Sequence, residues 1–156
     1  MQEKQVFYGF PPLFSADSEI LILGSFPSVK SREVSFYYGN KQNKFWKTLS
    51  EFYGGEIETV EDKKKLCILN RVALWDIVES CEIKGSMDSD ITNYVLVDLS
   101  EVLKKTEITK ILCNGAKAYQ LTKSCYDGNI PVLKMPSTSP ANVSFDKNVW
   151  FENLRH

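Results

Sequence analysis

A short, uninterrupted apolar run is the feature of this sequence that most limits its fold. Ile20 to Leu23 are all large aliphatic residues, and the run stops at Gly24 and Ser25. A strand buried on both faces carries apolar residues at every position, whereas a half-exposed strand alternates apolar with polar ones. The run is also far shorter than the roughly 20 residues that a membrane-spanning helix needs. We therefore predict a central strand in a sheet that is covered on both sides.

Further segments continue this pattern of strands that end at turn-forming or polar residues. We predict strands at 19–24, 72–76, 109–114 and 130–134, and helices at 43–52, 61–69, 98–105, 116–123 and 146–154. Polar residues collect after the strands, at 25–43, 76–90, 114 and 136–142. Alternating strands and helices are typical of a parallel sheet sandwiched between helices, with the loops after the strands gathered at one edge. The sequence therefore predicts an α/β fold with its site at that edge.

Length and composition are those of an ordinary globular domain. The 156 residues fit a single domain spanning 1–156, with 43% hydrophobic and 25% charged residues. The opening Met-Gln-Glu-Lys has no signal-peptide pattern, so we expect a cytoplasmic protein. A net charge of −1 argues against a protein that coats nucleic acid, although an enzyme can grip a few phosphates from a neutral scaffold.

The sequence contains few residues that could bind a metal ion. Its 4 cysteines include no Cys-x-x-Cys pair, and its 1 histidine is His156. Zinc sites need cysteines and histidines at close spacing, so we expect no metal or other cofactor and interpret the thiols as buried or incidental. The run Lys63-Lys64-Lys65 fits a solvated helix face better than a nucleic-acid patch.

The turn after the first predicted strand is a candidate ligand site. It reads Gly24-Ser25-Phe26-Pro27-Ser28. Glycine and proline favour a tight, fixed turn whose backbone N–H groups point outward and can bind a ligand. The same residues also form turns that bind nothing, so the residues alone leave both interpretations open.

An aromatic and amide-rich segment follows at 36–46. It reads Phe-Tyr-Tyr-Gly-Asn-Lys-Gln-Asn-Lys-Phe-Trp. Exposed aromatic rings can hold an unstacked base by its face, and carboxamides can read a base edge or hold a water molecule. Phe45 and Trp46 fit core positions better than exposed ones. Asn43 precedes them and, by residue type, fits a helix cap and a catalyst equally well.

A polar loop with two prolines follows the last predicted strand, at 135–142. Its hydroxyls and backbone amides can bind phosphates, and Pro136 and Pro140 stiffen it, which lowers the cost of ordering it on binding. A surface turn without a ligand would have a similar composition. The role of this loop therefore also stays open at this point.

Taken in order, these segments resemble the motifs of the uracil-DNA glycosylase superfamily. The matching segments are the turn at 24–28, the stretch from Tyr37-Tyr38 to Asn43-Lys44-Phe45-Trp46, and Pro136-Ser137-Thr138-Ser139-Pro140-Ala141. The Gly-Ser-Phe-Pro and Ser-Pro-Ala forms are similar to the hypoxanthine-DNA glycosylase branch. Segments 73–76 and 114–118 also resemble that branch, so the similarity covers nearly the whole chain.

The resemblance implies a fold, an activity and a set of site residues. The fold is a three-layer α/β/α arrangement with a four-stranded parallel sheet. The activity is hydrolysis of the bond between a deaminated base, most of all hypoxanthine, and its sugar in DNA, by a monomer without a metal. The residues expected to orient water are Asn43 and, as the second choice, Asn40. Those expected to contact the base are Ser25, Phe26, Tyr38 and Asn114. Those expected to bind DNA are Ser28, Ser137, Thr138, Ser139 and Asn142.

The sequence departs from the superfamily at points that bear on mechanism. Phe26 stands where the uracil- and mismatch-specific branches have an Asn or Asp that helps to activate water, so the resemblance moves that role to Asn43. Lys41 stands where many relatives have proline, and 137–139 lacks the histidine of the uracil branches' second motif. We therefore expect little activity on uracil.

Other functions fit parts of the pattern. A uracil- or mismatch-specific glycosylase is one alternative, and an inactive nucleic-acid binder of the same fold is favoured by Phe26. An enzyme of free nucleosides would have similar loops, but the chain has no GxGxxG, GxxxxGK[ST] or GxSxG motif. Asp76 ends the second predicted strand and fits a residue that ties loops together slightly better than a catalyst.

Overall fold

The computed structural model describes residues 5–83 and 91–156, and it divides the strands between two sheets. The strands are β1 (Gln5–Tyr8), β2 (Ile20–Gly24), β3 (Val72–Asp76), β4 (Val78–Ile83), β5 (Ile91–Leu96), β6 (Lys110–Asn114) and β7 (Val132–Met135). The helices are α1 (Val29–Val34), α2 (Phe45–Tyr53), α3 (Val60–Leu69), α4 (Ser100–Leu103), α5 (Ala116–Cys125) and α6 (Lys147–Asn153). Each strand and helix predicted from the sequence is present, with shifts of a few residues at its ends.

The larger sheet is parallel and contains the predicted strands. It has 4 strands in the order β3-β2-β6-β7, and each neighbouring pair runs in the same direction. The apolar run at 20–23 forms an inner strand, which pairs with β3 on one side and β6 on the other. The prediction of a central strand is therefore confirmed.

Alternate residues of the parallel strands point into two apolar cores. Leu21 and Leu23 of β2 contribute to one core, together with residues of α4 and α5. Ile20 and Ile22 contribute to the other, together with residues of α2, α3 and α6. All of these β2 side chains are 0% exposed, because successive side chains of a strand face opposite sides and both sides are covered. The chain thus has the three-layer α/β/α arrangement predicted for it.

A smaller antiparallel sheet was not predicted. Its strands lie in the order β1-β4-β5. The sequence analysis expected a polar loop at 76–90, but Val78–Ile83 of that stretch forms β4, while 84–90 lies outside the described residues. The register of β4 against β5 shifts after Val78 and again after Ser80, so the apolar and polar residues of β4 do not alternate regularly. This irregularity hid the strand from a search for alternation.

Local sequence signals mark where the helices begin. Thr59 and Asp62 form a capping box at the start of α3, in which each side chain accepts a hydrogen bond from the other's backbone N–H. Asp146 accepts the N–H of Asn148 at 3.0 Å before α6. Among the described residues, no helix has the length and apolar composition needed to cross a membrane.

The cysteines are free thiols, three of them buried. Cys67, Cys81 and Cys113 lie in the interior, and Cys125 is exposed. Burial raises the pKa of the Cys113 thiol to about 11, against a smaller lowering by Thr122. A thiol with a raised pKa is a poor nucleophile at neutral pH, which agrees with the prediction of buried or incidental cysteines.

Candidate active site

The loops that follow the parallel strands surround one cavity of about 620 Å³. Gly24 and the turn at 25–28 follow β2, Asp76 ends β3, Asn114 ends β6, and the loop at 136–142 follows β7. The carboxyl ends of parallel strands lie at the same edge of a sheet, so residues far apart in the sequence become neighbours here. The cavity lies where the sequence predicted a site.

Every residue assigned to the site from the sequence lines this cavity. The set comprises Asn40, Asn43, Ser25, Phe26, Tyr38, Asn114, Ser28, Ser137, Thr138, Ser139 and Asn142. The lining also includes residues that were not among those expected to orient water, contact the base or bind DNA, namely Gly24, Pro27, Ser31, Tyr37, Asp76, Pro140 and Ala141. A shared position does not give these residues a shared role, and their hydrogen bonds distinguish them.

The first turn is bonded to the chain that follows β3. The carbonyl of Gly24 accepts the N–H of Ile77 at 2.9 Å, and the carbonyl of Ser25 accepts that of Val78 at 3.1 Å. A methyl group on Gly24 would overlap the Asp76 carboxylate and would lie 3.0 Å from the Tyr38 hydroxyl. Glycine is therefore required at position 24, because a strand end, a carboxylate and a phenol meet there.

Ser28 caps α1 as well as lining the cavity. Its Oγ accepts the backbone N–H of Ser31 at 3.2 Å, and Ser31 Oγ accepts the N–H of Gly39 at 2.8 Å. These bonds connect the first turn with the aromatic segment. The sequence analysis missed Ser31 because it did not predict α1. The three-residue spacing between Ser28 and Ser31 is an N-cap signal that would have revealed the helix.

The aromatic segment contains both core residues and cavity-facing residues. Phe45 and Trp46 are 0% and 4% exposed, so the prediction that they belong to the core is confirmed. Tyr37 is also buried, and its hydroxyl donates to the carbonyl of Pro11 at 2.9 Å. The ring of Tyr38 stacks on Phe45 with 4.0 Å between centroids, while part of Tyr38 faces the cavity.

Tyr38 is held in a backbone conformation that side-chain-bearing residues rarely adopt, with φ at 52°. Such a conformation costs about 1–3 kcal/mol and persists only where the surroundings fix it. Burial raises the pKa of Tyr38, the Asp76 carboxylate raises it further, and the Asn114 side chain opposes this. The phenol therefore stays neutral at physiological pH and keeps its O–H hydrogen.

The two candidate water-orienting residues also shape the loop that carries them. Asn43 Oδ1 accepts the N–H of Phe45 at 2.9 Å, at the start of α2. Asn40 Oδ1 accepts the N–H of Gln42 at 2.9 Å, and the carbonyl of Asn40 accepts the N–H of Asn43 at the same distance. A carbonyl oxygen has two lone pairs, so each carboxamide can still accept a hydrogen from water. The N-cap of α2 is Lys44, so the bond from Asn43 to Phe45 is a local turn bond beside the helix start, and it is compatible with water binding.

Asn114 and Thr138 are joined by a pair of hydrogen bonds. Asn114 Nδ2 donates to Thr138 Oγ1 at 2.9 Å, and Asn114 Oδ1 accepts the N–H of Thr138 at 3.0 Å. Thr138 is 1% exposed, and its carbonyl accepts the N–H of Lys44 at 3.0 Å. The end of β6, the loop after β7 and the start of α2 are therefore connected through Thr138.

The loop at 136–142 is held by its own side chains. Ser137 Oγ accepts the N–H of Ser139, and Ser139 Oγ accepts that of Ala141, both at 3.2 Å. Asn142 Nδ2 donates to the carbonyl of Ser137 at 2.9 Å. Trp150 of α6 donates its indole N–H to the carbonyl of Pro136 at 2.8 Å. The conformation of the loop is thus set by hydrogen bonds within the chain itself.

The cavity has little charge of its own. Of the described residues that line it, Asp76 is the one with a charged side chain, and it is 4% exposed. Within the described ranges, no three His, Cys, Asp or Glu side chains lie close enough together to hold a metal ion. The chemistry available in the cavity is therefore that of carboxamides, hydroxyls, backbone amides, aromatic rings and one buried carboxylate.

Comparison with known proteins gives matches along nearly the whole chain. A family model described as the uracil DNA glycosylase superfamily matches residues 11–155. A hypoxanthine DNA glycosylase from Methanosarcina acetivorans is 34% identical over 154 residues, which are 95% of this chain and 98% of that protein. Another hypoxanthine DNA glycosylase, from Methanosarcina barkeri, is 32% identical over 114 residues, or 70% of this chain and 72% of that protein.

A solved structure has the same fold. It is the solution NMR structure of a candidate uracil DNA glycosylase from Methanosarcina acetivorans, with a TM-score of 0.80 and 33% sequence identity. The match covers 97% of this chain and 100% of that one. The parallel sheet and the helices on both of its faces are therefore found in a related protein.

Proposed function

The chain belongs to the uracil DNA glycosylase superfamily, and from this premise we propose that it removes hypoxanthine, the deaminated form of adenine, from DNA. It is a DNA glycosylase, an enzyme that hydrolyses the bond between a base and its sugar. One observation carries the choice of base: a protein named hypoxanthine DNA glycosylase is 34% identical over 95% of the chain. The lining of the cavity agrees with this choice, because aromatic and carboxamide side chains suit a flat, uncharged base.

The base has to leave the double helix before it can enter the cavity. A deaminated base pairs weakly, so rotating it out of the stack costs less than for a normal base. Tyr38 and Phe26 both line the cavity and offer ring surface to an extruded base. We assign the reading of the base edge to Asn114, whose carboxamide can donate and accept hydrogen bonds.

The reaction replaces the bond from the sugar carbon C1′ to the base nitrogen with a bond to water oxygen. In our proposal Asn43 Oδ1 holds the water by its second lone pair, with Asn40 as the second candidate. The electron pair of the broken bond goes to the departing base, which gains negative charge and then a proton, while the water loses one. Backbone N–H groups at Ser25 and Phe26, or the Asn114 carboxamide, would bind the base more strongly as that charge develops.

The DNA backbone would be gripped by uncharged groups at the rim of the cavity. Ser28, Ser137, Ser139 and Asn142 line it, and each serine hydroxyl that accepts a loop N–H keeps its own hydrogen to donate to a phosphate. Such contacts explain how a chain with a net charge of −1 can bind DNA. The Thr138 hydroxyl is buried, and we assign it a different role below.

We further propose that the enzyme works as a monomer of one domain, in the cytoplasm. Loops that follow the four parallel strands of the chain line the cavity, and they carry the residues to which the proposal gives a role. The substrate in this proposal is DNA that carries a deaminated base.

The proposal is tested with matched duplexes that carry one deoxyinosine, deoxyuridine or deoxyxanthosine. Each duplex is incubated with the protein, abasic sites are cleaved with alkali, and the strands are separated on a gel. We expect the strongest cleavage at deoxyinosine. Cleavage mainly at deoxyuridine would identify a uracil- or mismatch-specific enzyme. Binding of every duplex without cleavage would identify an inactive nucleic-acid binder and would contradict the proposal.

A further inference from the structure

Thr138 is the most deeply buried of the hydroxyl residues in the loop that follows β7. It is 1% exposed, whereas its neighbours Ser137 and Ser139 are partly exposed. Its Oγ1, its N–H and its carbonyl are all bonded, to Asn114 and to the backbone of Lys44. A hydroxyl in this position is not free to reach a DNA phosphate, so a different function has to account for it.

The bonds to Thr138 fix which way the Asn114 carboxamide points. A backbone N–H can only donate, so the group that faces the N–H of Thr138 has to be the oxygen of Asn114. The amide nitrogen then faces Thr138 Oγ1, which accepts from it. Rotating the carboxamide by half a turn would put two donors against each other at the N–H of Thr138, although the hydroxyl could still donate to the oxygen that then faced it. The orientation seen is therefore the one that satisfies all four groups.

A fixed orientation matters because the two ends of a carboxamide have opposite hydrogen-bonding roles. An Asn side chain that turns freely presents a donor or an acceptor to the same point of a bound base. In contrast, a side chain held at both ends presents one defined pattern, and it loses no further rotational freedom when the base arrives.

We propose that Thr138 is a positioning residue for base excision, whose backbone N–H and side-chain hydroxyl together hold the Asn114 carboxamide in the orientation that meets the extruded base. This inference rests on the proposed function. Thr138 acts through Asn114 and does not touch the substrate. Its carbonyl, which accepts the N–H of Lys44, belongs to the backbone and is kept when the side chain is replaced.

The first test is Thr138→Val, which keeps the branched shape and removes the hydroxyl. The Asn114 amide nitrogen then faces a methyl group and loses its acceptor, while Oδ1 keeps the backbone N–H of Thr138. Because the carboxamide is held at one end instead of two, we expect the single-turnover rate of deoxyinosine excision to fall roughly 10- to 100-fold. The Kd for the duplex and the Tm should stay near the wild-type values. Thr138→Ser restores the hydroxyl and should recover excision to within about threefold.

The matched control is Thr122→Val in α5. Thr122 is 0% exposed and, unlike Thr138, is not part of the described cavity lining. It undergoes the same chemical change inside the protein, and excision should stay at the wild-type rate. A loss as large as that of Thr138→Val would show that removing any buried hydroxyl is harmful, and the inference would fail.

A double-mutant cycle asks whether Thr138 works through Asn114. In an Asn114→Ala background, Thr138→Val should produce no further loss of excision, because the side chain that it positions is gone. Independent, multiplying losses would overturn the proposal. So would a Thr138→Val protein that excises at the wild-type rate, or one in which excision, DNA affinity and Tm fall together.

A readout without catalysis separates this inference from the proposed function. If the wild-type protein cleaves no duplex, the proposed function fails, and the role of Thr138 is then judged by NMR. The side-chain NH₂ signals of Asn114 should shift and exchange faster with water in Thr138→Val, but not in Thr122→Val. Unchanged signals in Thr138→Val would show that Thr138 does not hold the carboxamide.

Discussion

The interior of the parallel sheet and its carboxyl edge are parts of the same strands, yet different forces hold them. In the interior, the β2 side chains from Ile20 to Leu23 are 0% exposed and wholly apolar. At the edge, a few bonds of defined direction set the geometry, such as those between Asn114 and Thr138. Apolar burial is spread over many contacts, whereas a hydrogen bond needs its two atoms in place. Stability and activity should therefore respond to different substitutions.

The largest effect on stability is expected from Ile22→Ala in the interior. Ile22 is 0% exposed and lies in the core formed with α2, α3 and α6. Removing its buried atoms should lower the free energy of unfolding by about 2–5 kcal/mol, as measured by urea denaturation. At a temperature where the variant is folded, its excision rate should equal that of the wild type. A fully folded variant with a lower excision rate would contradict the idea that the interior sets stability and the edge sets activity.

The largest effect on activity is expected from Asn43→Ala at the edge. Loss of the carboxamide should lower the single-turnover excision rate by roughly 10²- to 10³-fold, as for removal of one preorganised group that acts in the transition state. Loss of its bond to the N–H of Phe45 should cost about 1 kcal/mol of stability. Gel-shift titration should give a Kd within about threefold of the wild type. A parallel loss of affinity and rate would identify Asn43 as merely structural.

A smaller effect is expected where the interior and the edge meet, at Trp150→Phe. Trp150 is 0% exposed, and its indole N–H donates to the carbonyl of Pro136 at the start of the cavity loop. Phenylalanine keeps most of the apolar contact but leaves that carbonyl without its donor, which should cost about 1–3 kcal/mol. Thermal unfolding measures the loss of stability, and the excision assay measures any shift of the loop. An unchanged Tm would show that the indole bond contributes nothing.

The smallest effect is expected from Val143→Ala, which serves as the baseline for stability. Val143 is an apolar side chain that is 92% exposed, beside the cavity loop. It loses no core contact on truncation, so its free energy of unfolding should stay within about 0.5 kcal/mol of the wild type. A larger loss, seen in the same urea titration as Ile22→Ala, would mean that the loop is packed more tightly than its exposure indicates.

The same division explains which parts of the fold could be predicted from the sequence. The strand at 20–23 can be recognised in the sequence, because burial on both faces requires an uninterrupted run of apolar residues. The strand β4 cannot be recognised in this way, because its register shifts at Ser80 and its buried Cys81 lies between Ser80 and Glu82. The helix α1 is short and polar, and the one buried residue within it is Ser31. Regular burial produces a recognisable pattern of apolar residues in the sequence, whereas short or bulged elements produce none.

For the site, the sequence predicted where the residues lie better than it predicted which hydrogen bonds they form. Strand ends indicated the edge of the sheet, and the resemblance to the superfamily pointed to Asn43 and Tyr38, which line one cavity there together with Asn114. The burial of Thr138 could not be foreseen, because it depends on a partner that lies 24 positions earlier in the chain. The left-handed backbone of Tyr38 was equally hidden, since nothing in a tyrosine indicates a positive φ.

The hydrogen bonds within the cavity loop also bear on how the protein searches DNA. Ser137, Ser139 and Asn142 take part in hydrogen bonds within the loop itself. A loop that ordered itself only on contact would lose conformational entropy at every encounter, including the many encounters with undamaged sequence. This loop is ordered once, during folding. We therefore expect the rate of association with duplex DNA to be limited by diffusion and to depend on ionic strength. The time that the protein spends at each base pair should depend on how readily that pair opens.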